Sequence, residues 1–462
     1  MLKALAAIIL IFSYFQEAAL TQLQGEGQPA AAAAPAAAPA AAPAAGAARA
    51  APAFPPPPPL RFTPQGTFKI LLFTDLHLGE GEDADRRSVE QVERLIAAEA
   101  PQLVVLGGDT VSGAFWDGRP GWAAARWAPL ASALARAGAP HAAALGNHDS
   151  EADLGRRQLA ELFSSAPLSL TRPGPDGISG AGNYHLDVLP PAQRPGAGAP
   201  AAGGAEAPAA RVWVLDSLRR TCEGARGWGC VGRDALAWAE ATAGALPPAA
   251  GIAFVHIPPP ELMRLWDDRP TFGGKAEAAG CPRGRGGGGL VPALARLNVT
   301  ALFVGHDHLN DYYGTDAAGF LMGYGRKSGF GSYGPPPGRL RGARAIVLRL
   351  GRPASEADTW VRNDAGAREE QGASDKGGGG GGGGGAGRRR QRRCSRGGDP
   401  AEFARDAAWG APLLAGAAAC VAGGFWARRR GRRGAGGAAG VRYRTLPAAD
   451  RFGAAAPPRA PG

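Results

Sequence analysis

Short apolar runs, separated by polar and helical stretches, mark out the middle of this chain. "FKILLF" at 68–73, apolar but for Lys69, and "QLVVL" at 102–106, apolar after Gln102, are runs of strand length, and "RSVEQVERLIAAEA" at 87–100 between them carries apolar residues at helical spacing. Further runs follow: "HAAAL" (141–145), "YHLDV" (184–188), "RVWVL" (211–215), "IAFV" (252–255), "ALFV" (301–304) and "ARAIVLRL" (343–350). Strand runs alternating with helical patterns predict an α/β sheet protein. Residues 190–210, "PPAQRPGAGAPAAGGAEAPAA", interrupt two runs that read as a hairpin and are a tolerated surface insertion. No internal repeat is present.

The flanks are different in kind. Residues 26–61 are an Ala/Pro-rich linker ending in "PAFPPPPPLR", and residues 363–406 contain nine consecutive glycines at 377–385 before an arginine-rich stretch. These fence off a domain at 62–362, long enough for one sizeable core. At the start, "MLKALAAIILIFSYF" has the basic beginning and short apolar core of a signal peptide or signal anchor, assigned to residues 1–25.

Net charge is +11, which at first suggests nucleic acid. Its placement excludes that reading for the core: residues 388–462 hold sixteen arginines against Asp399, Glu402, Asp406 and Asp450, so the rest of the chain is close to neutral. The same tail brackets an uncharged stretch at 407–427 with Trp409 and Trp426 near its ends, a candidate transmembrane helix followed by a basic cytosolic tail at 428–462. The expectation is a single-pass membrane protein of the secretory pathway or cell surface with a lumenal or extracellular domain. Cys222 and Cys230 close a short loop and could pair there, which leaves Cys281 over within the domain and Cys394 and Cys420 outside it. The sequon at Asn298 is a glycosylation site on that topology.

The chemistry lies at the ends of the strands. After "ILLF" come Asp75 and His77, after "LVVL" comes Asp109, and after "HAAAL" come Asn147, His148 and Asp149. His256 follows "IAFV", and His306 and His308 follow "ALFV". Open α/β sheets gather ligands at the carboxyl ends of their strands, and imidazole with carboxylate is a donor set for transition metals. Five of the seven histidines fall in these clusters, whereas His141 and His185 lie at or within strands and read as core or edge residues. "GYGRKSGFGSYG" at 323–334 lacks a P-loop pattern and reads as a solvated loop, with Arg326 or Lys327 available to a phosphate. Asp307 and Asp311 either orient ligands or cap a turn.

The order D-x-H, G-D, G-N-H-D, H, G-H-x-H resembles the calcineurin-like metallophosphoesterases over about residues 66–350, and "FVHIPPPE", "GHDHLNDYYG" and "GYGRKSGFGSYG" are similar to their purple-acid-phosphatase-like branch of plants and fungi. The resemblance implies a four-layer α/β sandwich of two mixed sheets flanked by helices. It implies two metal ions, Fe, Zn or Mn: Asp75, His77 and His308 on the first, Asn147, His256 and His306 on the second, and Asp109 bridging. A hydroxide between the ions would attack phosphorus, with His148 as acid to the leaving oxygen, oriented by Asp149. The substrate would be a phosphorylated small molecule or a phosphoprotein; a phosphodiesterase and a membrane-tethered binding protein with a weak or inactive site are the alternatives. Purple enzymes carry a tyrosine ligand three residues after the bridging aspartate. Here that position is Ser112, which predicts a colourless site unless Tyr312 or Tyr313 substitutes.

Overall fold

The first predicted strand, β1 (Thr67–Phe73), sends its two faces into two different cores. Phe68, Ile70 and Leu72 enter the layer between two sheets, while Leu71 and Phe73 enter a layer beneath helices. Successive strand side chains point to opposite faces, so a strand covered on both sides is apolar on both, which is why the run is continuous from Ile70 to Phe73; Lys69, nearer the strand's start, is half-buried and paired with Glu99. β2 (Leu103–Gly107) divides the same way, with Leu103 and Val105 on the inner face and Val104 and Leu106 on the outer.

The computed structural model describes residues 57–192, 206–282, 289–376 and 394–395. In the first sheet β1 lies between β2 and β13 (Gly342–Arg349); β3 (His141–Ala144) follows β2 in parallel, and β14 (Asp358–Asn363) and β15 (Arg368–Glu369) extend the other side antiparallel. The parallel steps run through α1 (Glu82–Glu99) and α2 (Trp122–Arg136), the βαβ connection such sheets require. β4 (Tyr184–Val188) and β5 (Ala210–Val214) are the expected antiparallel pair around the insertion. They begin a second sheet that continues in parallel through β8 (Ala250–Phe254), β10 (Val299–Val304) and β12 (Leu321–Tyr324), then antiparallel through β11 (Tyr313–Thr315) to β9 (Thr271–Phe272). A two-stranded ribbon, β6 (Thr221–Cys222) and β7 (Ala225–Arg226), stands apart.

Helices cover both outer faces. α1, α2 and α3 (Arg156–Ser164) pack on the first sheet through Val92, Leu95, Trp127, Leu130, Leu159 and Phe163. α4 (Arg233–Ala245), α5 (Pro260–Asp268) and α6 (Leu290–Arg296) pack on the second through Ala235, Ala239, Leu262, Leu265, Leu290 and Leu294. Helix, sheet, sheet and helix are the four layers expected.

Three differences have physical causes. α1 begins at Glu82, five residues before the predicted start, because its first turn carries Glu82, Asp83 and Asp85: acids suit the positive end of a helix dipole but leave no apolar periodicity to read. α2 escapes prediction because "WAAARWAPLASALAR" is apolar on most sides and contains Pro129, a residue that usually argues against a helix interior. The sheet runs past the predicted domain end at 362, since β15 pairs Arg368 and Glu369 with β14.

The cysteines are arranged differently too. Cys222 and Cys230 pair, but Cys281 is not left over: it is bonded to Cys394, a residue assigned from sequence to the region outside the domain. A spacing of 113 residues between partners gives no local signal for such a pair. The signal peptide or anchor of 1–25, the candidate span at 407–427 and the basic tail lie outside the described residues. Among the described residues no helix is long and apolar enough to cross a membrane.

Candidate dinuclear metal centre

The parallel strands end together, and the segments leaving them carry the predicted residues to one place. Four of these adopt left-handed backbone, which side chains other than glycine rarely do: Asp75 (φ 57°), His77 (φ 52°), Asp109 (φ 49°) and His306 (φ 77°). Such strain persists only where the surrounding structure holds it, and it concentrates at functional sites. Gly108 (φ 94°) shows how tight the approach is, because a Cβ there would lie 2.5 Å from His256 Nδ1.

Two clusters result, Asp75 with His77 and His308, and Asp109 with His256 and His306, each with its candidate ligand atoms within 4.8 Å of one another. The Asp109 Oδ2 atom lies 3.0 Å from His256 Nε2 and 3.7 Å from His77 Nε2, so one carboxylate reaches both clusters. Asp75 Oδ1 is 3.4 Å from His308 Nε2. Asn147 joins the second cluster with its Oδ1 3.1 Å from His256 Nε2.

Hydrogen bonds on the far side of each ring fix which nitrogen faces inward. His256 Nδ1 is 2.9 Å from the Gly107 carbonyl and His308 Nδ1 is 3.0 Å from the Tyr333 carbonyl, so each donates there and turns the lone pair of Nε2 toward the centre. His77 Nδ1 contacts Ser112 Oγ at 2.6 Å, and Ser112 in turn donates to Glu80 Oε1 at 2.5 Å. With the rings neutral, the inward atoms are therefore acceptors facing acceptors: His77 Nε2 is 3.1 Å from His308 Nε2, and His256 Nε2 faces both a carboxylate and an amide oxygen. His306 Nδ1 is buried with no hydrogen-bond partner among the described residues. Buried acceptors crowded together cost energy unless a cation lies among them, and carboxylate, amide and imidazole donors suit a borderline transition-metal ion. The residues fit two ions.

Protonation follows the same logic. Burial holds His306 well below its usual range and His308 down to about 3, the latter helped by the Lys327 ammonium, so both rings stay neutral and able to bind metal. Burial would also lower His256, but the Asp109 and Asp75 carboxylates outweigh it and push the ring up to about 9. Burial would raise Asp75 and Asp109; His308 and His256 respectively lead the opposing interactions and hold both carboxyls below the usual range. In the metal-free protein a proton on His256 does what a cation would do, so metal binding must displace it.

Several expectations need correction. Asp149 does not orient His148: its carboxylate accepts the backbone N–H groups of Asp109, Val111 and Gly146 at 3.0, 2.9 and 2.7 Å, and so shapes the turn that carries the bridging candidate. The partner of His148 Nδ1 is Glu151, at 2.6 Å, which also receives Arg219 at 2.5 Å. Lys327 and Arg326, expected to be available to a phosphate, are buried and bonded to protein groups. Lys327 donates to the Asp75 carbonyl at 2.6 Å, and burial lowers its ammonium to about 7. Arg326 is buried between Asp311 and Glu369. The segment predicted as a solvated loop is thus strand β12 followed by buried supports. Asp307 accepts from Gly280 N–H and from the Tyr324 hydroxyl, which makes it an anchor of the loop between His306 and His308. His141 and His185 lie away from the site, against Trp127 and Trp213.

The cavity over the centre is lined by Asp109, His148, His306, His308, Glu277 and Tyr333, among others. Sequence reasoning missed Glu277, whose carboxyl burial and the Asp307 carboxylate push up to about 8, and also Glu80 and Glu151. The last two were readable: in "HLGE" and "HDSE" a glutamate stands three residues after a site histidine, within reach of it.

Known proteins agree with this geometry. The calcineurin-like phosphoesterase family model matches residues 68–310. Similar proteins include the probable inactive purple acid phosphatase 28 of Arabidopsis thaliana, 32% identical over 65% of this chain and 79% of that one. Another is the probable inactive purple acid phosphatase 29 of the same plant, 28% identical over 66% and 84% of the two chains. Phosphatase DCR2 of Saccharomyces cerevisiae is 29% identical over 55% of this chain and 46% of its own. With two buried donor clusters at the strand ends and a family match that covers more than half its length, this chain belongs to the calcineurin-like phosphoesterases.

Proposed function

We propose that the domain is a dinuclear metal-dependent phosphatase that hydrolyses phosphomonoesters, phosphoproteins among them. The observation that carries the reading is Asp109 Oδ2 reaching ring nitrogens of both clusters, with His148 beside them on the cavity wall. Asp75, His77 and His308 would hold one ion, Asn147, His256 and His306 the other, and Asp109 would bridge. Bound there, the ions supply charge neutralisation for the phosphate and an acidified water as nucleophile. The protein's own residues do the rest. Gly107 and Tyr333 carbonyls keep His256 and His308 in the ligating tautomer, Ser112 and Glu80 hold His77, and Glu151 holds His148 toward a leaving oxygen.

Purified protein assayed on phosphomonoesters and diesters, with metal analysis and a visible spectrum, tests this. Monoester turnover with about two ions per chain and no strong visible band is expected. The spectrum follows from Ser112, whose hydroxyl contacts His77, in the place where purple enzymes carry a tyrosine. Tyr312 is fully buried with its hydroxyl on the Leu262 carbonyl at 2.9 Å, Tyr313 stacks on Phe272, and Tyr333 donates to Glu277 at 2.9 Å. A strong band abolished by a Tyr→Phe change at any of these three would overturn the metal assignment. A diester preference would move the reading to the runner-up, a phosphodiesterase.

A second reading has one observation behind it, the words "probable inactive" in the names of two relatives. On that reading the chain binds metal and phosphate without turnover. Metal-replete protein that binds phosphate but hydrolyses no ester would favour it.

The same proposal puts the domain in an oxidising compartment, on the lumenal or extracellular side, supported by its two disulfides. Alkylation of protein taken directly from its native membrane fraction should find all four of these cysteines blocked. Recovery of them as free thiols would contradict the placement.

A further inference from the structure

We propose that Trp228 and Ser395, each held by its own disulfide, form a wall over the His306 side of the cavity and limit the size of the phosphate ester admitted. The proposal rests on the phosphatase reading for its substrate class. Trp228 lies inside the loop closed by Cys222 and Cys230, and its ring meets His306 edge-on with centroids 4.2 Å apart. The indole N–H donates to Ser395 Oγ at 3.1 Å. Ser395 itself lines the cavity with Asp109, His148, His306 and His308.

Ser395 comes from far along the chain, 167 residues after Trp228, and three contacts fix it in place. Cys394 is bonded to Cys281 and packs with Met263 and Ala279; the Ser395 N–H donates to the Ala279 carbonyl at 2.9 Å; and Trp228 binds its hydroxyl. The anchoring segment already presses on the site, since a Cβ at Gly280 would lie 2.5 Å from His306 Nε2. Without the covalent link, bringing a residue from so distant a position to the rim would carry the full entropy of closing a long loop. With it, the rim is a fixed edge rather than an adaptable one. A fixed edge discriminates by size because a bulky leaving group must displace it.

The test uses full-length oxidised protein and compares the native chain with Cys394→Ser, Ser395→Ala and Trp228→Phe. Two readouts are taken: the rate at which diethylpyrocarbonate modifies His306 in metal-free protein, and the ratio of kcat/KM on a phosphotyrosine peptide to that on a short alkyl phosphate. Cys394→Ser should raise both by about fivefold, the effect of losing one well-placed hydrogen bond and its tether, with metal content unchanged. Ser395→Ala and Trp228→Phe, which keep both disulfides, should move both readouts in the same direction and decide the matter if Cys394→Ser does not fold. Unchanged labelling, increased labelling with an unchanged ratio, or loss of metal in these variants would each overturn the wall. If the native protein hydrolyses neither ester, the phosphatase reading fails. The wall is then judged by labelling together with calorimetric binding of inorganic phosphate against phosphotyrosine.

Discussion

Asp109→Asn should lose about a thousandfold or more of turnover and most of both metal ions. The carboxylate is buried, and its two oxygens have separate duties: Oδ2 faces the His256 and His77 rings, and Oδ1 accepts the His148 backbone N–H at 2.8 Å. Asparagine keeps the shape but has only one oxygen. If that oxygen faces the rings, the amide nitrogen meets the His148 N–H as donor against donor. If the amide turns over, an NH2 group points at the place both ions need a charge. Either orientation loses, and the site also gives up one of its two carboxylates. Metal analysis and turnover on a phosphomonoester check this, with circular dichroism to confirm the fold. A variant with normal metal content and undiminished turnover would sink the bridging role.

How much of this was legible depended on whether the signal was local. Strands buried on both faces leave largely apolar runs, so β1, β2 and β10 were readable, as were the histidines and aspartates directly after them. What the runs could not reveal was the support each side chain receives from distant parts of the chain. Asp149 looked like the natural partner of its neighbour His148, yet adjacent residues on a turn diverge, and the residue three along, Glu151, makes the contact. Lys327 and Arg326, in a glycine-rich segment, looked solvated; Lys327 hydrogen-bonds to the backbone of Asp75, 252 residues earlier, and Arg326 is paired with Asp311 and Glu369. The Cys281–Cys394 bond and the docking of Ser395 likewise have no periodicity or motif to announce them.

His148→Ala should leave both metals in place and lower turnover by about a hundredfold to ten-thousandfold, by an amount that depends on the ester chosen. The backbone N–H of residue 148, which binds Asp109 Oδ1, survives the change, so the bridging carboxylate keeps that support. What is lost is the ring held by Glu151, whose carboxyl would be raised by burial but is kept below its ordinary range by His148 and Arg219. A carboxylate on Nδ1 makes that nitrogen the donor and favours a proton on Nε2 when the ring is charged. An acid of this kind matters in proportion to the basicity of the oxygen that leaves. An alkyl phosphate departs as a strongly basic alkoxide and needs the proton; a nitrophenyl phosphate departs as a stable phenolate and needs it far less. The defect should therefore be largest on alkyl phosphates and shrink towards nitrophenyl phosphate. Glu151→Gln should show the same substrate dependence with a smaller loss, because the ring remains but its charged form is less favoured. Kinetics on a series of phosphomonoesters graded by leaving-group pKa, beside metal analysis, read both. A loss equal across the series would make His148 a binding residue rather than an acid, and loss of metal would make it a ligand.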